Sequence, residues 1–208
     1  MLVIRSASAA DAPQIAGVMR DSWLAAYEGI IAYQIIDEVT APDGGARVRQ
    51  SFRTRPWQHM IAAVASRPQR AAAAVAPGIV GYASFGPELD VLGMSWPYQR
   101  TAAGAEGRVA ELYALYVHPA RWSTGTGRAL MDQVLARVSG AGYRSITLWV
   151  LQDNARARWF YERAGFAPDG ARHELPDLGG VTEIRYRRAL RGKPGSHLAA
   201  GEHGGDAG

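Results

Sequence analysis

Between Glu111 and Phe166 the chain reads ELYALYVHPARWSTGTGRALMDQVLARVSGAGYRSITLWVLQDNARARWFYERAGF, a succession of strand, glycine turn, helix, strand and helix. Val109 to Val117 is rich in strand-forming residues, and the four-residue spacing of Leu130, Val134 and Val138 predicts a helix from Gly125 to about Ser139. Ser145 to Leu151 is a second predicted strand, and Asn154 to Arg163 a second helix stopped by Gly165. Helices with one apolar stripe must bury it against a sheet, so the run points to an α/β or α+β fold with both sheet faces covered.

Flanking segments extend the same pattern. Leu2 to Arg5 predicts a first strand, and Asp11 with Gln14 a capping-box-like start, Pro13 in the first turn, for a helix bearing Ile15, Val18, Met19, Trp23 and Tyr27. After a break at Ala41-Pro42-Asp43-Gly44-Gly45, the arginine-rich segment to about Arg67 predicts a second helical region. Ala71 to Ala76, a Pro77-Gly78 turn and Ile79 to Phe85 predict a hairpin, and Val181 to Ala189 a last strand. Residues 86–107 lose all periodicity and are long for a connector, which suits either a substrate-side wall or a disordered insert. Residues 1–190 are expected to form one domain and 191–208, dominated by Gly, His, Ala and Pro, a disordered tail.

Composition narrows the chemistry. The 208 residues include no cysteine, so disulfides, thiolate metal sites and a cysteine nucleophile are excluded, while 48% apolar content is enough for a core. Of the 23 basic residues only Lys193 is lysine, and no block of like charge occurs, so the net charge of +4 argues little for nucleic acid. No histidine has partners at metal spacing, and no metal is expected. The amino terminus lacks the features of a secretory signal and no apolar run is of spanning length, which predicts a cytoplasmic chain away from membranes.

Gly125-Thr126-Gly127 lies between a strand and a helix, where backbone N–H groups and the positive helix end can receive an anion. An ordinary tight turn has the same spelling. Leu130 stands where a dinucleotide fingerprint needs glycine, and a Walker loop needs a Gly-Lys pair that is missing here.

The order LYV, eight residues to Gly125, a helix, a strand ending WVLQDN, and Tyr161 seven residues after Asn154 resembles the GNAT superfamily of acyl-CoA-dependent N-acetyltransferases. SWLAAYEGII and IVGYASFGP resemble its first helix and third strand, so the likeness spans about residues 2 to 190. It implies a mixed, mostly antiparallel sheet of six or seven strands with about four helices, with acetyl-CoA wedged between the strands ending at Val117 and near Leu151. The backbone of Leu115, Tyr116 and Val117 would pair with the pantetheine arm, Ser123, Thr124, Gly125, Thr126, Gly127 and Arg128 would cradle the pyrophosphate, and Asn154 would hold the pantetheine from the other side. The match departs from the family pattern at Trp122, Ser123 and Thr124, where Arg or Gln, Gly and a basic residue are common.

Acetyl transfer to an amine needs a neutral nucleophile, stabilised oxyanion charge and a proton for the departing thiolate. The resemblance implies Glu111 as general base, often through water, Tyr161 as general acid and the Val117 N–H as oxyanion donor. Period two puts Glu111 and Val117 on one strand face. Tyr161 also lies on an apolar stripe with Ala157, Phe160 and Ala164, which a core residue would share, and Glu111 could be a solvated carboxylate beside Arg108. Trp23, Tyr27, Trp96 and Tyr98 could form an aromatic wall for an amine, or simply pack. The acceptor expected is a primary amine of a small molecule; the alternatives are a protein N-terminus, lysine or aminoacyl-tRNA, or a silent acyl-CoA-binding module. A homodimer is left open.

Overall fold

Met1, Leu2 and Val3 start the chain at a sheet edge, in or beside β1 (Leu2–Ser6), which a computed structural model places against β2 (His59–Ala65). The structure describes residues 1–55, 58–65, 78–89 and 109–190. Its remaining elements are α1 (Ala12–Ala26), α2 (Tyr33–Val39), α3 (Ala46–Thr54), β3 (Gly78–Pro87), β4 (Val109–Val117), α4 (Thr126–Gly140), β5 (Ser145–Leu151), α5 (Ala155–Arg163), β6 (Ala167–Leu175) and β7 (Val181–Ala189). The seven strands form one sheet in the order β1-β2-β3-β4-β5-β7-β6. Every neighbouring pair is antiparallel except β4 and β5, whose parallel pairing is made possible by the crossover through α4.

Two apolar layers hold the sheet. On one face Leu130, Met131, Val134 and Val138 of α4 and Tyr161 of α5 pack on Val80, Leu112, Ile146 and Leu148. On the other, Ile15 and Val18 of α1 cover Ala62 and Tyr82, while Trp23, Ile31 and Ile36 meet Leu151, Leu175 and Leu178. The mostly antiparallel architecture and strand number agree with expectation; among the described residues five α-helices stand where about four were expected.

Three local readings are corrected, and one lies outside the described residues. The helical segment expected to reach Arg67 ends at Thr54, and His59–Ala65 is a strand instead. Its run Met60-Ile61-Ala62-Ala63-Val64-Ala65 carries apolar residues on both faces, so no alternation marked it as a strand. That strand is the partner of β3 within the described residues, whereas Ala71 to Ala76, the expected hairpin arm, lies outside them. The capping interaction sits three residues earlier than read: the Asp11 carboxylate accepts from the Ser8 N–H at 2.8 Å and forms a paired bond with Arg5, which holds its acidity stronger than usual. Gln14 does not cap; its Oε1 accepts from the Ile79 N–H at 2.9 Å and ties α1 to β3. Finally β6, an edge strand containing Pro168 and Gly170, had no alternation to betray it.

One irregularity in β4 governs the site. Ser84 pairs with Ala114 but Phe85 pairs with Leu112, so Tyr113 is an extra residue in the strand, a β-bulge. Ala110 and Leu112 before it, and Leu115 and Val117 after it, therefore all join the layer under α4 and α5. Ala114 and Tyr116 face the α1 layer. Glu111, alternating with Ala110 and Leu112, falls on that α1 side, so it does not share a face with Val117 as period two had implied.

Candidate active site

The parallel ladder runs from Val109 opposite Ser145 to Leu112 opposite Leu148 and then ceases, although β4 continues to Val117 and β5 to Leu151. The two strands part, and a cleft of about 820 Å³ lies at their ends. The His118 N–H donates to the Val80 carbonyl at 2.9 Å, so by alternation the backbone of Tyr116 faces β3 while that of Leu115 and Val117 faces the gap. The Val117 carbonyl is engaged there by the Ser22 hydroxyl at 2.9 Å and the Trp122 indole N–H at 2.7 Å. What the strand turns toward a ligand is the Val117 N–H and both polar groups of Leu115.

At one end of the cleft stands the amino terminus of α4. Gly125 adopts φ +87°, a left-handed conformation that glycine takes without Cβ strain, and no side chain caps the helix. The first helical bond closes from the Ala129 N–H to the Gly125 carbonyl, so the N–H groups of Thr126, Gly127 and Arg128 lack carbonyl partners within the helix. Thr124 stiffens the turn by donating to the Arg121 carbonyl at 2.8 Å, with Thr126 Oγ1 3.1 Å away. A Cβ on Gly127 would come 3.4 Å from the Phe160 ring, which lets α4 sit close to α5. Uncapped donors and a helix dipole of this sort fit a pyrophosphate.

The charges at this end differ from expectation. Arg128, expected in the cradle, is exposed and paired with Asp132 at 2.9 Å, one turn along its own helix. Arg156 reaches in from α5: its guanidinium lies 4.3 Å over the Trp122 ring and donates to Ser123 Oγ at 3.3 Å. Nothing in the spacing of NARAR distinguishes Arg156 from its neighbours; only the fold brings it to the turn. Asn154 caps α5, its Oδ1 accepting from the Ala157 N–H at 3.0 Å, which leaves the Nδ2 donors for a ligand.

The inner end is buried. Tyr161 is 9% exposed, packs edge-on against Phe160 and Phe166, and lines the cleft. Burial, and secondarily the nearby Tyr116, push its phenol well above the ordinary range, so it keeps its proton at neutral pH. Glu111 is 1% exposed, accepts from the Leu89 N–H at 3.0 Å and also lines the cleft, which rules out the solvated-carboxylate reading. Trp23 and Tyr27 pack at 4.9 Å on the same wall, with Tyr116 6.5 Å from Trp23; Trp96 and Tyr98, the other members expected there, lie outside the described residues. One cleft-lining carboxylate had no signal in the sequence: Glu183 of β7, opposite Leu151 of β5. His118 packs against Asp21 at 3.4 Å and accepts from the Ala120 N–H, a loop-stabilising role. Among the described residues no three His, Asp or Glu side chains gather to hold a metal, and no helix is long and apolar enough to cross a membrane.

Anion-binding donors at one end, free strand groups in the middle and an acid with a carboxylate at the other can hold a phosphate-bearing thioester and move a proton. Comparison with known proteins agrees. The model of the Acetyltransferase (GNAT) family matches residues 32–166. A probable N-acetyltransferase of Mycobacterium tuberculosis is 25% identical over 196 residues, covering 92% of this chain and 96% of its own. An uncharacterized N-acetyltransferase of Bacillus subtilis is 24% identical over 181 residues, covering 87% of this chain and 88% of its own. In fold, the chain resembles the PaiA N-acetyltransferase from Thermoplasma acidophilum, solved in complex with coenzyme A, with a TM-score of 0.64 at 17% identity over 91% of this chain and 99% of that one.

Proposed function

Since the chain belongs to the GNAT family of acetyl-CoA-dependent N-acetyltransferases, we propose that it acetylates a primary amine of a small molecule by direct attack on the thioester. The observation that carries this reading is the buried, proton-holding phenol of Tyr161 in the cleft where β4 and β5 part.

Acetyl-CoA supplies an activated acyl carbon and a thiolate leaving group. Leu115 and Val117 offer backbone groups to the pantetheine arm, Tyr116 lies between them, and the Nδ2 of Asn154 supports the arm from α5. The turn from Ser123 to Arg128 receives the pyrophosphate, with Thr126, Gly127 and Arg128 donating backbone N–H groups and Arg156 adding the charge. The Val117 N–H donates to the acyl oxygen as negative charge grows there.

Glu111 takes the proton that the attacking amine must lose, through water. Tyr161 delivers a proton to the sulfur as the carbon–sulfur bond breaks and recovers one from solvent. The net result is a new carbon–nitrogen bond and one proton moved from nitrogen to sulfur. Because the phenol's acidity is weakened, its donor form persists as pH rises past the ordinary tyrosine range near 10.

Thiol release from acetyl-CoA, followed across a panel of primary amines, tests the reading. Tyr161→Phe is expected to lower kcat by about 100-fold or more with the KM for acetyl-CoA unchanged. Equal rates in variant and parent would remove the acid, and no thiol release with any small amine would overturn the substrate class.

A further inference from the structure

We propose that the outer face of α5 holds the nucleotide end of acetyl-CoA, with Trp159 stacking on the adenine and Arg163 pairing with the phosphate on the ribose 3′ oxygen. This rests on the acetyltransferase reading above and adds to it a subsite that neither the glycine turn nor the parted strands provide.

The first observation is an open tryptophan on the lip of the cleft. Trp159 lines the cleft yet is 61% exposed, and it is the largest apolar side chain left so open among the described residues. Packing does not account for it. The inward side of α5 is filled by Tyr161, with Ala157, Phe160 and Ala164 beside it in the same layer, and Trp159 stands outside that layer. The helix does not call for it either, since tryptophan is a poorer helix former than the alanine, arginine and glutamate around it. What an exposed indole offers is a flat π face, on which a nucleobase stacks.

The second observation is charge. Arg156 stands three residues before Trp159 and Arg163 four after it, so the three side chains share one face of the helix. The Arg163 guanidinium lies 4.9 Å over the Trp159 ring, as that of Arg156 lies 4.3 Å over Trp122. Both arginines are exposed, and among the described residues neither is within ion-pair distance of a carboxylate, whereas Arg128 on α4 is paired with Asp132. The acid next to Arg163 is turned away: Glu162 accepts from the Tyr186 hydroxyl at 2.7 Å. A ring flanked by two guanidiniums, each able to meet a phosphate with paired N–H groups, matches a phosphorylated nucleoside.

The third observation is position. Arg156 donates to Ser123 Oγ at 3.3 Å, within the turn whose free N–H groups suit a pyrophosphate. From Arg156 to Arg163 is two helical turns, about 10 Å along the axis. In coenzyme A the adenosine is joined to the pyrophosphate through its 5′ oxygen, so its base and its 3′-phosphate fall a few ångströms beyond that group. Arg156 thus serves the pyrophosphate and Arg163 the 3′-phosphate, with the indole between them. Continuity with the turn is what assigns the surface to the cosubstrate rather than to a separate nucleotide.

Calorimetry of the full chain tests the assignment with coenzyme A and with dephospho-coenzyme A, which lacks only the 3′-phosphate. The parent is expected to bind coenzyme A about threefold to tenfold more tightly, and Arg163→Ala to abolish that preference. Trp159→Ala is expected to weaken both ligands about 10-fold, with Trp159→Phe between variant and parent. Both side chains are exposed, so neither substitution removes core packing. Failure of the parent to bind coenzyme A at all would count against the acetyltransferase reading. Absence of the preference in the parent, its persistence in Arg163→Ala, or unchanged coenzyme A affinity in Trp159→Ala would each overturn this inference alone. Adenosine 3′,5′-bisphosphate, the nucleotide fragment, is expected to compete with coenzyme A; its binding alongside coenzyme A without competition would show a separate nucleotide site and overturn the assignment.

Discussion

The two ends of the cleft are built from different materials. At the α4 end the groups on offer are main-chain N–H donors around a left-handed glycine, and the charged side chains there, Arg128 and Arg156, are reached from solvent. At the inner end they are side chains: a phenol and two carboxylates, each at least nine-tenths buried. A backbone cradle tolerates change in most of its residues because every residue but proline carries an N–H. A buried acid or base tolerates none, since its chemistry lies in one functional group whose proton affinity is set by its surroundings. The outer end should therefore govern affinity for acetyl-CoA and the inner end turnover.

Substitutions can break that division. The largest effect is expected from Glu111→Gln, which keeps an oxygen to accept from the Leu89 N–H but cannot take a proton; kcat should fall about 100-fold with acetyl-CoA binding intact, measured by initial rates and calorimetry. Gly125→Val should act in the opposite sense. No atom lies within 4 Å of the added Cβ, so the penalty is backbone strain at φ +87°, and the KM for acetyl-CoA should rise about 10-fold with kcat little changed. Arg156→Ala should have the smallest effect, about threefold to fivefold on the same KM, and the parent's affinity should weaken with salt more than the variant's. An equal loss of kcat in all three would show that the ends are not separable.

The same contrast explains what could be read from the amino-acid order. Gly125 announces itself because a turn entering a helix needs it locally, whereas Gly127 serves the close approach of α5, and α4 and α5 carry apolar stripes long enough to count. Tyr161 shares its stripe with core residues, and only its spacing from Asn154 singled it out. Arg156 and Glu183 were invisible, since each acquires its place from an element distant in sequence: Arg156 from the docking of α5 on Trp122, Glu183 from the pairing of β7 with β5. β2 was misread because both its faces are apolar, and β6 was missed because it is an edge strand with little to bury. The pairing of Glu111 with Val117 failed for a more specific reason, the extra residue at Tyr113.

That extra residue sets a counting rule for β4. Because Tyr113 shifts the strand by one phase, removing it, or adding a single neighbour between Glu111 and Leu115, would move one half of the strand to the wrong layer. Either Glu111 would be driven into the oily side beneath α4, or Leu115 and Val117 would be turned toward α1. Length changes in this segment are thus admissible only in twos, a constraint of parity that ties the buried Glu111 carboxylate to the phase of its strand.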